Sequence, residues 1–468
     1  MGHIEGRSRT QTSLLPPALE DYVPREHVVR VIDAFVEGLA LEKLGFERTT
    51  PAATGRPGYS ASGLLKLYLY GYQQQVRSSR CLMRECERNV EVMWLVQELK
   101  PSYKTIACFR SDHAEALVSV CEAFVQLCRR ASLLGGKTVA IDGTKVDAVA
   151  SRKRHVTKKK LAKAESRVKD KIKAYLSELD AADASEAEET PDPAALKALL
   201  ETLQSKEARL KMLGELLGDE SQWVEGEPEA KLMRTPKGAR VAYNAQIAVD
   251  AQHHLVVHSA VTNEGNDKEQ LLPMALGAKA ALQVETLAGL TDTGYSSGSQ
   301  LAGCAENGIE VAASRPRQTN TRDGELYGPE AFTYRPETDD YKCPAGQVLR
   351  RQRDTKAGVK RYWQASACRG CALKDQCTRG AYREVTRTVH EEAVDAAAKR
   401  MTRERCIERS SLVEHPHGTM KWMMGVPRFL VRGLHKVRGE YALVVTSYNL
   451  KRALSVLGFT GMMEMVRD

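Results

Sequence analysis

Three acidic residues stand out because together they can hold a metal ion. Asp142 ends the apolar run of VAIDGTK, and Asp292 ends the similar run of GLTDTGY. Each acid is followed by a Gly-containing turn, and in α/β sheets the strand ends are where ligand groups collect. Glu414, in LVEHPHGTMK, is the best candidate for a third carboxylate. Taken singly, an acid after a strand is more often a turn residue or a helix cap.

A carboxylate trio predicts a particular chemistry. Carboxylates that a fold brings together repel one another and raise each other's pKa values. That cost is tolerable when cations neutralise the acids, and hard oxygen ligands in an open site suit Mg²⁺ or Mn²⁺. Two such ions activate water or a 3′-hydroxyl and stabilise the leaving oxygen in phosphodiester transfer.

The elements that must position these acids begin with a helical region. Apolar residues at helical spacing predict helices over 30–44 and 63–75. Basic residues then recur every three or four positions, which places them on one helical face. With the basic residues of KPSYKTIACFR they form a candidate phosphate-contacting surface, whose alternative is a solvated face. The residues of this surface are Arg77, Arg80, Arg84, Arg88, Lys100, Lys104 and Arg110.

Residues 151–225 predict a helical hairpin of coiled-coil character. Two stretches with leucines at helical spacing flank the acidic turn DAADASEAEETPDP. The first arm begins with a basic cluster that includes Arg152, Lys153 and Lys158. DNA backbone contact and a solubilising face are about equally favoured for this cluster.

The pattern changes to α/β from about residue 240. Two strands, 243–249 and 255–261, are joined by the short DAQHH link, which predicts a hairpin. A helix over 267–282, the strand before Asp292, a helix that Gly308 closes and the strand IEVAAS follow. Strand, helix and strand in this order imply parallel pairing.

The composition narrows the class of protein. The chain of 468 residues has room for two or three domains, and 42% hydrophobic with 28% charged residues is ordinary for a globular protein. We find no apolar run long enough to span a membrane and no signal-peptide pattern, so a cytoplasmic protein is expected. The net charge of +9 weakly favours a polyanionic partner.

The eleven cysteines should be reduced in that compartment. Six of them have helix-like, partly apolar surroundings and are expected to be small core residues: Cys81, Cys86, Cys108, Cys121, Cys128 and Cys304. Four others, Cys343, Cys368, Cys371 and Cys377, lie in a poorly periodic segment. Their C-x2-C-x5-C spacing is near that of structural zinc sites, and Cys343 is the candidate fourth ligand. Reduced, unliganded thiols are the alternative.

Motifs along almost the whole chain resemble those of one family. In chain order these motifs are DYVPREHVVRVIDAFVEGL, TGRPGYSASGLLKLYLYGY, SSRCLMRECERNVEVMWL, LKPSYKTIACFRSDH, VAIDGTKVDAVAS, YNAQIAVDAQHHLVV, VTNEGNDKEQL, LTDTGYSSG, VEHPHGTMKWMMG and FLVRGLHKVRGEYALVVTSYNLKR. With these motifs in this order, the chain is similar to DDE transposases of the IS1182 insertion-sequence group, within the IS4-like set.

The resemblance implies an RNase H-like catalytic core in which Asp142, Asp292 and Glu414 bind the metal. It also implies that Lys421 and Arg409 contact the DNA ends. Arg409 precedes Glu414 by one position more than the IS4-like pattern, and Cys406 stands where that pattern has Tyr. His417 and Cys108 also depart from the family's residues, but neither position is a proposed metal ligand.

The expected fold is therefore α/β, with the core built from residues 131–150, 226–314 and 395–468. A DNA-binding helical domain (1–130) precedes it, and the basic hairpin (151–225) and the Cys-containing segment (315–394) are expected as insertions. The resemblance implies DNA cleavage at transposon ends and strand transfer with Mg²⁺ or Mn²⁺, by a homodimer or larger complex that joins the nucleoid when bound to DNA. A nuclease without strand transfer and a transposase-derived DNA-binding protein are the alternatives.

Overall fold

The computed structural model describes residues 18–47, 58–184, 193–235, 238–315, 326–355 and 359–467. The helices are α1 (Leu19–Tyr22), α2 (Val28–Glu37), α3 (Ala61–Gln73), α4 (Ser79–Arg88), α5 (Val90–Leu95), α6 (Tyr103–Asp112), α7 (Ala114–Arg130), α8 (Lys158–Ala184), α9 (Pro193–Leu217), α10 (Leu271–Leu282), α11 (Gly298–Glu306), α12 (Ala365–Cys368), α13 (Lys374–Cys377), α14 (Glu391–Arg400), α15 (Arg403–Gly418) and α16 (Leu434–Arg467). The strands are β1 (Thr138–Asp147), β2 (His155–Val156), β3 (Trp223–Val224), β4 (Lys231–Thr235), β5 (Gly238–Asp250), β6 (Val256–Thr262), β7 (Leu287–Thr291), β8 (Ile309–Ala313), β9 (Thr333–Arg335), β10 (Asp340–Lys342), β11 (Val348–Asp354), β12 (Lys360–Trp363) and β13 (Val385–Arg387).

The N-terminal region is helical, as expected. Helix α3 is buried on nearly every side because α2, α5 and the long α16 all pack against it. The helix expected over 30–44 is shorter, since α2 ends at Glu37 and turns follow as far as Gly45. Helix α7 packs along α16 and so joins the N-terminal helices to the C-terminal end of the chain.

A mixed six-stranded sheet forms the centre of the protein. Its order is β4-β5-β1-β7-β8, and β6 also pairs with β5. Strand β1 is antiparallel to β5 but parallel to β7, and β7 is parallel to β8. The hairpin of β5 and β6 and the parallel pairing of β7 with β8 agree with the sequence expectations. Strand β4 was not anticipated.

Helices cover both faces of this sheet. On one face, α10, α11 and α14 bury an apolar cluster that includes Ile141 and Val311. On the other face, Leu412 and Val413 of α15 pack against residues of β1, β7 and β8. Within the described residues, we find no helix that combines the length and apolar character needed to cross a membrane.

The expected hairpin over 151–225 is present as α8 and α9, which pack against each other. The small pair of β2 and β3 closes its base. Its apolar core is small and includes Leu161, Leu213 and Leu217. The acidic turn was expected over residues 180–193, but α8 continues to Ala184 and α9 begins at Pro193. The middle of that turn, residues 185–192, lies outside the described residues.

The Cys-containing segment is more ordered than its sequence predicted. Five short antiparallel strands form a sheet in the order β13-β12-β11-β10-β9. Its core combines the aromatic residues Phe332, Tyr341 and Tyr362 with the aliphatic Leu349 and Val385. The strands are mostly three or four residues long, too short for a periodic pattern to reveal them.

Candidate active site

Asp142 lies where two strands separate, not at the end of a strand as the sequence suggested. Strand β1 continues to Asp147 because β5 pairs with it over its whole length, from Val139 to Asp147. On its other edge, β1 pairs with β7 only from Thr138 to Ala140. Pairing on that edge therefore stops two residues before Asp142, and the backbone opens beside the carboxylate.

Asp292 faces the same opening from the neighbouring strand. It directly follows β7, and its Oδ1 accepts a hydrogen bond from the Gly294 N–H at 2.8 Å. The carboxylate thus caps the short turn Thr293–Tyr295. Because β1 and β7 run in parallel, their acids emerge on one edge of the sheet, as strand ends in α/β proteins do.

The electrostatics of Asp142 show how close the acids are. The pKa of Asp142 is raised to about 6, mainly by burial and also by the carboxylates of Asp292 and Asp267. The Gly143 N–H and the Arg409 guanidinium act in the opposite direction. A bound cation would favour the ionised form of Asp142 and offset the repulsion between the neighbouring carboxylates.

Asp267 is the site residue that the sequence reasoning missed. Its Oδ1 accepts hydrogen bonds from Asn244 Nδ2 and Gln246 Nε2, both at 2.7 Å, and lies 3.3 Å from Lys145 Nζ. The amide groups of Asn244 and Gln246 are buried on β5, and Tyr295 donates to Gln246 Oε1. The signal was present in the motif VTNEGNDKEQL, which contains Asp267, but no strand end or known ligand pattern marked it.

Helix α15 brings basic groups to Asp142. Thr402 caps its start, and the buried pair Leu412 and Val413 fixes its rotation on the sheet. Arg409 Nη1 lies 4.0 Å and His417 Nε2 3.9 Å from Asp142 Oδ2. Burial, with Lys421 nearby, lowers the pKa of His417 to about 3, so this ring is neutral at ordinary pH.

Lys421 also reaches the site, from the π-helical segment Thr419–Met423 that continues α15. Its Nζ donates to Thr144 Oγ1, and Thr144 is two residues beyond Asp142 on the same face of β1. Sequence reasoning had assigned Arg409 and Lys421 to DNA contact, and the structure brings both to the Asp142 side of the sheet.

Glu414 lies on the same helix but on its exposed side. Its carboxylate makes no hydrogen bond or ion pair with a described residue. Across the described ranges, no three His, Cys, Asp or Glu side chains are grouped closely enough to hold a metal ion. The sheet therefore brings Asp142 and Asp292 together. Glu414 lies on the helix that packs beside Asp142, but its side chain does not point to the two aspartates.

Two regions of the chain match families of known proteins. Residues 17–112 match a transposase domain, and residues 342–454 match a transposase DDE domain. The chain therefore contains two transposase domains, and the second is of the DDE type. The assignment agrees with the resemblance to the IS1182 group. Neither the curated proteins nor the solved structures gave a match.

The DDE match covers only part of the transposase's candidate site. It contains Glu414, Arg409 and Lys421, but Asp142 and Asp292 precede it. Transposases bind DNA, and DDE transposases generally use divalent metal ions. The matches thus identify the class of enzyme, while the assignment of individual residues depends on the geometry described above.

The candidate DNA contacts of the transposase divide into exposed and buried groups. Arg77 is buried, and its guanidinium donates to the carbonyl oxygens of Gly425 and Arg428, so it is not available to a phosphate. Arg110 is buried as well. Six other basic residues predicted to contact DNA are exposed, namely Arg80, Arg84, Lys104, Arg152, Lys153 and Lys158. The exposed part of the predicted basic surface is therefore smaller than the sequence suggested.

The cysteines also divide into two groups. Cys86, Cys121, Cys128 and Cys304 are buried as expected, but Cys81 is half-buried and Cys108 is exposed. The other group is the zinc candidates, and its four members line one small cavity beside the aromatic core: Cys343, Cys368, Cys371 and Cys377. Burial raises the pKa of the Cys377 thiol, and the other three thiols add to this shift. As placed, these side chains do not form a closed ligand set.

Proposed function

We propose that this chain is a metal-dependent transposase that cleaves DNA at transposon ends and joins the freed 3′ ends to new DNA. The observation that carries the proposal is the convergence of Asp142 and Asp292 at the gap between β1 and β7. The strand order of the central sheet, with three antiparallel strands followed by two parallel ones, favours an RNase H-like core.

The donor set fits divalent ions of the Mg²⁺ or Mn²⁺ type. Asp142 and Asp292 offer carboxylate oxygens at an open edge. Burial and, to a smaller extent, the neighbouring carboxylates raise the pKa of Asp142, and a bound cation would offset both effects. Glu414 would complete the set from α15 when DNA is bound. Divalent ions held there supply the activation of the attacking water or 3′-hydroxyl and the stabilisation of the leaving oxygen.

The chain's own basic residues would hold the scissile strand. Lys421, beside Thr144, and Arg409, beside Asp142, lie where a phosphate at the acids would need positive charge. The His417 ring is neutral and both of its nitrogens are buried, so it would shape the pocket without adding charge. The exposed basic residues of α4, α6 and the hairpin would bind DNA phosphates without reading sequence. Joining two transposon ends requires at least a dimer on DNA.

Cleavage of a plasmid that carries the coding sequence with its natural flanking DNA tests the proposal. We expect the wild type with Mg²⁺ to cut at the element boundaries and to yield strand-transfer products. Asp142→Asn, Asp292→Asn and Glu414→Gln should bind the DNA without cutting it, whereas the matched control Asp147→Asn should cut normally. Asp147 lies on the same strand but pairs with Arg240.

The products distinguish the alternatives. Cutting without joined products would indicate a nuclease, and binding without cutting by the wild type would indicate a DNA-binding protein. Full activity in any one of the three acid variants would remove that residue from the catalytic set.

We also propose that the four clustered cysteines bind one structural zinc ion. Arg383 lines the same cavity, is fully buried, and its Nε and Nη2 have no hydrogen-bond partner among the described residues. A zinc ion with four thiolates carries a net charge of −2, which a buried guanidinium can offset through N–H···S contacts. The thiols would turn inward to close the set.

Metal analysis of the purified chain tests this second proposal. We expect about one zinc per chain, with loss of that zinc and of heat resistance in Cys371→Ser. Cys108→Ser is the matched control, because Cys108 is exposed on α6, more than 200 residues before the four clustered cysteines. A well-folded wild type that contains no zinc, after purification without chelators, would overturn the proposal.

A further inference from the structure

The strongest unassigned feature is the carboxylate of Asp267, which lies behind the gap between β1 and β7. Side chains alternate along β1, so Asp142 and Thr144 face α15, while Gly143 and Lys145 face the opposite side of the sheet. Asp267 approaches from that opposite side, just before α10.

Asp267 lies close to both segments that carry the acids. A methyl group built on Gly143 would lie 2.9 Å from Asp267 Oδ1. A methyl group built on Gly294 would lie 3.8 Å from Asp267 Oδ2 and 3.0 Å from Asp292 Oδ1. The carboxylate therefore lies between β1 next to Asp142 and the turn that Asp292 caps, and the absence of a side chain at Gly143 leaves room for it on the β1 side.

The surroundings hold this carboxylate firmly. Asn244 and Gln246 each donate to its Oδ1, and the hydroxyl of Tyr295, in the turn after Asp292, donates to Gln246. Lys145 supplies the nearest positive charge. One hydrogen-bonded network thus connects β1, β5 and the Asp292 turn. Asp267 contacts β1 and β5 directly and reaches the turn through Gln246 and Tyr295.

We propose that Asp267 is a positioning residue of the active site, which sets the separation of Asp142 and Asp292 from the far side of the sheet. The inference rests on the proposed function, because it assumes that these two acids bind the divalent ion. Groups that orient metal ligands change metal affinity strongly even though they do not touch the ion. The charge of Asp267 also adds to the negative field that attracts the cation.

Binding of Mn²⁺ to the full-length chain without DNA, followed by electron paramagnetic resonance, gives a readout independent of cleavage. We expect Asp267→Asn to weaken Mn²⁺ binding roughly tenfold. Its melting temperature should stay close to that of the wild type, because the amide oxygen still accepts one hydrogen bond. Asp267→Ala removes every acceptor and should lower both properties. Asp147→Asn, the matched control on β1, should leave both unchanged.

The outcomes separate the two proposals. If Asp142→Asn loses Mn²⁺ and Asp267→Asn binds it as Asp147→Asn does, the positioning role is refuted while the proposed site stands. If Asp142→Asn keeps the wild-type affinity, the site itself is wrong, and the role of Asp267 falls with it. A lower melting temperature in Asp267→Asn with unchanged Mn²⁺ affinity would mark Asp267 as structural only and also refute the inference.

Discussion

Glu440 is the residue whose loss should damage the fold most. It is fully buried on α16, where its Oε1 accepts from Tyr72 at 3.0 Å and from Arg77 at 3.3 Å. Its Oε2 accepts from the backbone N–H groups of Leu430 and Val431, at 2.8 and 3.1 Å. One carboxylate therefore ties the N-terminal helices to the C-terminal helix and to the loop before it.

The magnitude follows from what Glu440→Ala would leave behind. The charges of Arg77 and Arg110 would stay buried without their counter-ion, and breaking a buried pair in this way costs about 3–5 kcal/mol. Two backbone N–H groups would also lose their acceptor, at about 1 kcal/mol or more each unless water replaces it. Since these effects overlap, we expect a loss of about 4–6 kcal/mol, a large part of the stability of an ordinary domain.

Urea unfolding followed by circular dichroism measures this loss. Glu440→Gln keeps the shape and one acceptor oxygen, so its loss should be smaller than that of Glu440→Ala. The matched control is Glu115→Ala on the adjoining α7. The Glu115 side chain is 90% exposed, and among the described residues its one ion pair is to His435 at 3.8 Å. That variant should stay within about 0.5 kcal/mol of the wild type. If Glu440→Ala lost less than about 1 kcal/mol, the reading of this network would be refuted.

Three further predictions follow from single positions. Gly143→Ala would place a methyl group 2.1 Å from the buried amide nitrogen of Gln246 and should lower the free energy of unfolding in urea by about 2–4 kcal/mol. Gly418 is in helical backbone with nothing within 4 Å of an added methyl group, so Gly418→Ala should raise that free energy by up to about 1 kcal/mol. Equal changes in the two variants would contradict this expectation. The pKa of Asp339 is held below its ordinary value by hydrogen bonds from Tyr362, Tyr334 and Arg351. The stability that the ionised Asp339 gives to the folded protein is therefore present above the unfolded-state pKa of about 3.9 and is lost as the pH falls below it. Asp339→Asn should flatten the fall in melting temperature between pH 5 and pH 3, and an unchanged profile would count against it. Lys104→Ala should reduce the salt dependence of DNA binding by about one unit of slope without changing stability, and an unaltered slope would remove this exposed lysine from the DNA surface.

The sequence predicted elements well where the chain is strongly periodic. The hairpin of β5 and β6, the parallel pair of β7 and β8, and the helical arms α8 and α9 all follow from local pattern. It failed at Asp142, because a polar residue after an apolar run looks like a strand end. The strand continues there since β5 still pairs with it, and no local pattern reports that pairing.

The sequence also does not show which charged residues are exposed and which are buried. Nothing in the local sequence distinguishes Arg77 from Arg84. In the folded protein, Arg77 is buried and donates hydrogen bonds to backbone carbonyl groups, whereas Arg84 is exposed. The difference depends on Glu440, which is more than 350 residues away along the chain. Asp267 was missed for a similar reason, since its partners on β5 and in the Asp292 turn meet only in the folded sheet.

The separation of the acids along the chain has a simple physical consequence. The segments between them each have an apolar core of their own, Leu161 with Leu213 in the hairpin and Tyr341 with Tyr362 in the five-stranded sheet. Bringing the two ends of a connecting segment together costs little conformational entropy when the segment is already folded. Even for a flexible segment, this cost rises by only about 0.6 kcal/mol for each doubling of its length. The alignment of Asp142 with Asp292 therefore depends on the three residue pairs between β1 and β7, beginning with Thr138 and Ala288, far more than on the long hairpin inserted between these two acids.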